Sequence, residues 1–291
     1  MDKAPKFEDF KAALASDLQE VEREMRSVLT SDVKMVDNIV RYIVKRRGKN
    51  LRPILTLLCA SLFGKPNSLT IKAAVIVELL HTATLVHDDV VDDSKVRRGF
   101  PSINAIWKNK ASVLVGDYLL AKALTEMLEL RNFAVLDILS ITARRMSRGE
   151  LLQIAKVRKL DITEEVYFDM IADKTAALFS ACSELAAVAN GQNGEIRTSL
   201  RNFGEKIGLA FQIRDDVLDF EGKITLLGKP TLADLKEKKI TLPLIHAMFV
   251  GEKTEGKRII RLIDRGMKTK NQSLVLDFIR KHHGMEYAHD A

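Results

Sequence analysis

The sequence predicts an all-α protein. Three observations carry that reading. Apolar residues recur at helical spacing through most of the chain, sustained period-2 alternation is nearly absent, and no Asn-Gly hairpin joins two β-branched runs. With 291 residues, 46% of them hydrophobic, and a mean hydropathy of −0.04, there is ample material for one core. The expectation is a single domain, 1–291, of many helices.

The elements follow in order. Phe7, Phe10, Leu14, Leu18, Val21, Met25 and Leu29 share one helical face, so 7–29 reads as a helix. A second runs through Ile39, Ile43 and Val44 and is stopped by Gly48. The basic loop Arg46-Arg47-Gly48-Lys49-Asn50-Leu51-Arg52-Pro53 comes next, and Pro53 suits the first turn of a third helix. Lys49 and Arg52 then stand at a helix N-terminus, where backbone N–H groups favour anions. This helix reaches Phe63 and ends at Gly64-Lys65-Pro66-Asn67, and Asn67 or Ser68 caps the next one.

The long helix that follows, IKAAVIVELLHTATLVHDDVVDD, organises the chain. It opens as an apolar run and ends in Asp88, Asp89, Asp92 and Asp93. Positions four apart lie one turn above each other, about 6 Å along the axis, so Asp88 should stack on Asp92 and Asp89 on Asp93. Like charges at that spacing, close to the negative end of the helix dipole, need a positive partner. One solution is a solvated helix end with local ion pairs. The other is a hard divalent cation: magnesium takes one or two carboxylates plus substrate phosphates. Lys95, Arg97 and Arg98 lie just beyond, and paired arginines suit phosphate.

After the turn Gly99-Phe100-Pro101, helices are expected over about 111–130, 133–156 and 163–189, the last stopped by Asn190-Gly191. Further helices are expected over 195–220, 232–249, 256–266 and 271–281. Within the first of these, Asp215, Asp216 and Asp219 repeat the Asp-Asp-x-x-Asp pattern that begins at Asp88. Each copy ends an apolar helix and is followed by basic residues, here Lys229, Lys238 and Lys239. Facing acidic ends in a bundle core would cage several Mg2+ ions, with lysines and arginines covering the remaining phosphate charge.

Composition narrows the classes. The chain holds 46 Lys and Arg against 39 Asp and Glu, a net charge of +7 that favours anionic partners. Its basic residues are scattered, with four Tyr, one Trp and no recognised nucleic-acid motif, which argues against nucleic-acid binding. Cys59 and Cys182 sit apart in apolar helical contexts and read as small buried hydrophobes of a reducing, cytoplasmic compartment. The N-terminus is polar, without the apolar core of a signal peptide. No uninterrupted apolar run reaches the ~18 residues expected of a transmembrane segment.

With both acidic motifs on the page, the sequence resembles the trans-isoprenyl diphosphate synthase (polyprenyl synthetase) family, over nearly its whole length and most like the long-chain octaprenyl type. Gly48-Lys49-Asn50-Leu51-Arg52-Pro53 is similar to the family's GKxxRP loop. Glu78 to Asp92 is similar to its first Asp-rich motif and lead-in, Lys174-Thr175 to its Lys-Thr pair, and Phe211-Gln212 with Asp215–Asp219 to its second Asp-rich motif. The resemblance implies an isoprenoid-synthase bundle around a deep central apolar cavity, acting as a homodimer. It also implies substrate roles. Gly48, Lys49, Arg52, His81 and Arg98 would hold isopentenyl diphosphate. Arg97 would bind the allylic diphosphate, farnesyl or geranyl, and Lys174, Thr175, Gln212, Lys229 and Lys239 would be further substrate-binding residues.

In that scheme the metal residues are Asp88, Asp89, Asp92, Asp215, Asp216 and Asp219, with Mg2+ bound together with substrate diphosphate on Asp88, Asp92 and Asp215. Those three and Lys174 would be catalytic. The allylic diphosphate leaves, the double bond of isopentenyl diphosphate attacks the allylic cation, and the departed pyrophosphate takes the proton. The small residues Ala83 and Thr84 stand where bulky aromatics close the pocket of short-chain members. The product would therefore pass them toward Leu80, Val77 and Ile76 and be long, a polyprenyl diphosphate for quinone side chains handed on to a membrane. Geranylgeranyl diphosphate is the shorter alternative.

Leu232 and Lys238 depart from the family by standing where glycines are usual. The family's C-terminal helices beyond Ala291 are expected to be missing, and His282, His283 and His289 are expected on a mobile surface tail. Other readings were a non-catalytic subunit of a heteromeric synthase, which would have lost its Asp-rich motifs, and a terpene cyclase, which would not need Lys49, Arg52 and His81. His87-Asp88 is also similar to the pair of metal-dependent phosphohydrolases, but that reading needs a further His upstream of residue 81, and there is none.

Overall fold

The structure is a computed structural model that describes residues 6–46, 48–221, 232–266 and 269–291. It is all-α, as the periodicity predicts, apart from one two-residue hairpin. The helices are α1 (Phe7–Ala13), α2 (Ala15–Val28), α3 (Lys34–Lys45), α4 (Leu51–Ser61), α5 (Ser68–Val91), α6 (Ile103–Glu129), α7 (Phe133–Lys159) and α8 (Glu164–Ile171). A π-helical turn (Ala172–Ala176) leads into α9 (Ala177–Ala189) and α10 (Gly194–Glu221). Then come α11 (Ala233–Lys236), α12 (Leu242–Val250), α13 (Lys253–Asp264), α14 (Thr269–Lys281) and α15 (Gly284–Asp290). The chain divides into two compact units, the first Met1–Ala143 with Leu178–Glu205, the second Arg144–Ala177 with Lys206–Ala291.

In the first unit α5 is the central element. The Asn67 Oδ1 caps it by accepting from the Thr70 amide at 2.9 Å, and α2, α4 and α6 pack around it. Ile76, Val77 and Leu79 are fully buried, as are Leu57 of α4 and Leu119 of α6. By length and composition α5 is apolar enough to cross a membrane, which departs from the sequence expectation. Two-thirds (67%) of its most apolar window is nevertheless buried inside the protein. Gly116 lets α6 approach α5 closely, since a Cβ there would overlap the imidazole of His87. Cys59 and Cys182 are buried free thiols, and burial pushes the Cys182 thiol up to about 12.

The second unit has its own apolar core. Tyr167 and Met170 of α8, Val217 and Phe220 of α10, Leu242 and Ile245 of α12, Ile263 of α13 and Phe278 of α14 meet there. The helix expected over 232–249 is two helices. Lys238 takes a left-handed φ of 61°, and the Lys239 and Lys238 amides donate to the carbonyls of Asp234 (2.8 Å) and Leu235 (3.1 Å). Those two bonds form a Schellman stop for α11. The histidines near the end are not on a mobile tail. Gly284 and Ala288 are buried against α12, His289 lies 3.1 Å from Glu221, and His282 packs on Phe278.

Candidate active site

In the first unit the acidic end of α5 is built differently from a simple stack. Helical geometry stops at Val91, with Asp92 as C-cap. Asp93 then turns left-handed (φ 48°), while the Ser94 amide donates to the Asp89 carbonyl at 2.9 Å. This closing turn takes Asp93 off the helix, where it pairs with Lys95. The expected stack of Asp89 on Asp93 is therefore absent. Asp89 instead is 3% exposed and accepts from Arg97 Nε at 2.6 Å. Asp88 is half-buried and Asp92 exposed, one turn apart on the outward side.

Arg97 and Arg98 are presented by the hairpin. Val96–Arg97 (β1) pairs antiparallel with Phe100–Pro101 (β2). Arg98 and Gly99 between them both have positive φ, 52° and 77°, as the tightest hairpin turns require. The sequence reading saw only a turn here, because two residues are too short for a period to register. Arg98 folds back over Gly48, where any Cβ would come within 2.7 Å of its guanidinium. A side chain at residue 48 would therefore have to displace the Arg98 guanidinium.

A cationic cluster results. Arg52, the second residue of α4, donates from Nη1 to His81 Nε2 at 2.9 Å and lies over the Phe179 ring at 4.8 Å. A guanidinium only donates, so His81 must accept at Nε2 and carry its proton on Nδ1. Burial, with Arg52, Arg98 and Arg97 beside it, holds His81 well below its ordinary pKa, so the ring is neutral. Arg52 Nε is buried with no hydrogen-bond partner. Lys49 is exposed at the mouth of the same helix. Positive charge gathered at a helix N-terminus, with an unsatisfied donor, is an arrangement suited to an anion.

The chain-length residues lie on the same helix. Val77, Leu80, Thr84 and Asp88 follow one another at helical spacing, so the apolar stripe leads up to the first carboxylate. Val77, Leu80 and Ala83 are at most 2% exposed, and the half-buried Thr84 hydroxyl donates to the His81 carbonyl.

In the second unit the three aspartates also divide. Asp215 is exposed, while Asp216 and Asp219 are 4% and 6% exposed. Asp219 accepts from the Ala233 and Asp234 amides at 3.0 and 3.2 Å, holding the N-terminus of α11. Asp216 ends a hydrogen-bonded chain. Thr175 Oγ1 donates to Gln212 Oε1 (2.7 Å), Gln212 Nε2 to Asp216 Oδ1 (2.8 Å), and Tyr167 OH to Asp216 Oδ2 (2.7 Å). Burial, with Asp234 nearby, pushes the Asp216 carboxyl up to about 8.

Lys174 and Thr175 ride on the π-helical turn, a distortion that recurs at functional positions. Arg145 Nε binds Asp173 at 2.7 Å, and Arg148 reaches the same carboxylate. Gly149 permits the contact, because a methyl there would overlap the Lys174 amide. Lys174 Nζ pairs with Glu150 Oε2 at 2.6 Å and donates to Gln153 Oε1 at 3.0 Å. Lys239 pairs with Glu237 at 2.7 Å. Lys229 lies outside the described residues. Sequence reasoning missed Tyr167, Glu150 and Gln153, since nothing in spacing marks a partner reached through space.

A family model for polyprenyl synthetases matches residues 33–279. The chain belongs to the polyprenyl synthetase family. The octaprenyl diphosphate synthase of Escherichia coli (strain K12) is 39% identical over 252 residues, covering 87% of this chain and 78% of that protein. A decaprenyl diphosphate synthase from Rhodobacter capsulatus superposes with a TM-score of 0.91 at 36% identity, covering 97% of this chain and 88% of that one. A polyprenyl synthase from Caulobacter crescentus CB15, complexed with calcium and isoprenyl diphosphate, gives 0.91 at 35% identity, with coverages of 100% and 89%. Of these similar proteins, the first two are named for octaprenyl and decaprenyl diphosphate.

Proposed function

We propose that this polyprenyl synthetase extends an allylic diphosphate by successive head-to-tail condensation with isopentenyl diphosphate, giving a long all-trans polyprenyl diphosphate. The observation that carries the reading is the unit-one cluster, Gly48, Arg52, His81 and Arg98, on the same fold as the outward acid pair Asp88 and Asp92. Arg52 and Arg98, with Lys49 at the rim, bind the isopentenyl diphosphate, and the neutral His81 fixes the Arg52 fork. Arg97 is oriented for the allylic diphosphate by its bond to Asp89. Lys174 and Thr175 are aimed by the π turn and by the chain through Gln212 to Asp216.

The donor set fits magnesium, which takes one or two carboxylates beside phosphate oxygens and water. Among the described residues no group of three or more His, Cys, Asp or Glu side chains is arranged to hold a metal ion by itself. From the family resemblance we assign Mg2+ to Asp88, Asp92 and Asp215. Mg2+ held there would supply Lewis-acid stabilisation of the charge developing on the diphosphate leaving group. Asp89, Asp216 and Asp219 accept hydrogen bonds from protein donors and so support the groups beside them. The buried stripe from Thr84 and Ala83 to Leu80 and Val77 excludes water from the growing chain. The small Ala83 and Thr84 support a product of octaprenyl class. The family resemblance supports a homodimer, and the free thiols Cys59 and Cys182 support a reducing, cytoplasmic compartment.

One incubation tests the reading: protein, Mg2+, farnesyl diphosphate and labelled isopentenyl diphosphate, with products resolved by length. The expected result is a ladder running well beyond geranylgeranyl diphosphate. A ladder stopping at geranylgeranyl keeps the chemistry and overturns the length. Asp88→Ala or Asp215→Ala should cut turnover by orders of magnitude with the fold intact, and unchanged turnover would sink the metal assignment.

A further inference from the structure

We propose that Glu150 is a positioning residue that holds Lys174 in reserve and takes it back when diphosphate departs. The inference rests on Lys174 serving the allylic diphosphate. An ammonium has three donors, and Glu150 and Gln153 account for two of them, at 2.6 and 3.0 Å. Both side chains of the ion pair are mostly covered, with 26% of Lys174 and 19% of Glu150 exposed. The pair is therefore less screened than a surface bridge.

The backbone fixes this geometry tightly. Lys174 lies in the π-helical turn, whose path brings its main chain against Gly149, with the Cα 2.8 Å from where a Cβ would sit. Glu150 is the very next residue of α7. Asp173, on the other side of Lys174, is clamped by Arg145 and Arg148 from the same helix. These contacts oppose sliding of the turn along α7, leaving the lysine side chain as the part that can change partners.

That arrangement makes Glu150 a competitor of the substrate. A diphosphate that binds Lys174 must displace a carboxylate already paired with it. The same carboxylate recaptures the ammonium once the allylic bond has broken and pyrophosphate is leaving. A residue that weakens ground-state and product binding alike favours turnover where release of pyrophosphate is slow. A residue that merely oriented Lys174 would strengthen diphosphate binding, so the two roles have opposite signs.

The test is the dissociation constant for inorganic pyrophosphate with Mg2+, by calorimetry on the full chain, alongside turnover. Glu150→Gln keeps an acceptor and removes the charge. It should bind pyrophosphate on the order of three- to tenfold more tightly, with a lower KM for the allylic diphosphate and a lower kcat. Glu150→Asp, which retains the charge, should stay near the parent. In a Lys174→Gln background the added Glu150→Gln should change nothing. Unchanged or weaker pyrophosphate binding in Glu150→Gln overturns the latch. If that variant is unfolded by circular dichroism, an Asp variant binding as tightly as expected for the Gln one overturns it instead. A parent chain that turns over normally while the variants show no shift sinks this inference alone. A parent that neither binds pyrophosphate nor turns over sinks the proposed function with it.

Discussion

The neutral His81 makes stability depend on pH in a defined direction. Its pKa is held well below 6.5 in the folded chain and returns to its ordinary value on unfolding. Between those values the unfolded state binds a proton that the folded state refuses. Stability therefore rises with pH there, and is lost as pH falls below about 6.5. The limiting slope is about 1.4 kcal/mol per pH unit. From pH 7 to 5.5 the loss integrates to at most about 1.2 kcal/mol, provided the folded group stays uncharged throughout. Denaturant unfolding at the two pH values measures it, and the single tryptophan, Trp107 of α6, is a probe within the same unit. His81→Asn keeps an acceptor for Arg52 but cannot titrate, so comparing it with the parent removes every other ionisation. The parent should lose more stability on acidification than the variant. Parallel pH profiles would refute the buried neutral imidazole and, with it, the assigned tautomer.

Other substitutions read different parts of the structure. Gly149→Ala would ordinarily gain helix stability, but here the methyl meets the Lys174 backbone. A loss of about 1–3 kcal/mol is expected, with a raised KM for the allylic diphosphate, and a more stable, fully active variant would disprove the close approach. Lys238→Gly should leave the melting temperature unchanged or higher. It relieves about 1 kcal/mol of left-handed strain and loses an exposed ion pair to Asp264 worth at most about as much. Ala83→Tyr should shorten the product ladder, and an unaltered spectrum would mean the chain does not pass that position.

The parts of the molecule legible in the sequence are those governed by local periodicity and residue type. The helix α5, its Asn67 cap and the acidic ends at Asp88 and Asp215 were readable because each needs only neighbours within a turn or two. The misses have one physical origin, contacts that close through space or backbone turns that residue type does not advertise. Asp93 and Lys238 both adopt left-handed φ without being glycine, so the stop after α5 and the break before α12 left no mark. The same blindness blurred the six aspartates into one class. Spacing alone makes Asp88 equivalent to Asp89, and Asp215 equivalent to Asp216. Only the fold shows that Arg97 has claimed Asp89, that Tyr167 and Gln212 have claimed Asp216, and that the backbone of α11 has claimed Asp219. Within each Asp-Asp-x-x-Asp pattern the inward members thus fix the side chains or backbone beside them: Asp89 holds Arg97, Asp216 holds Gln212 and Tyr167, and Asp219 holds the start of α11.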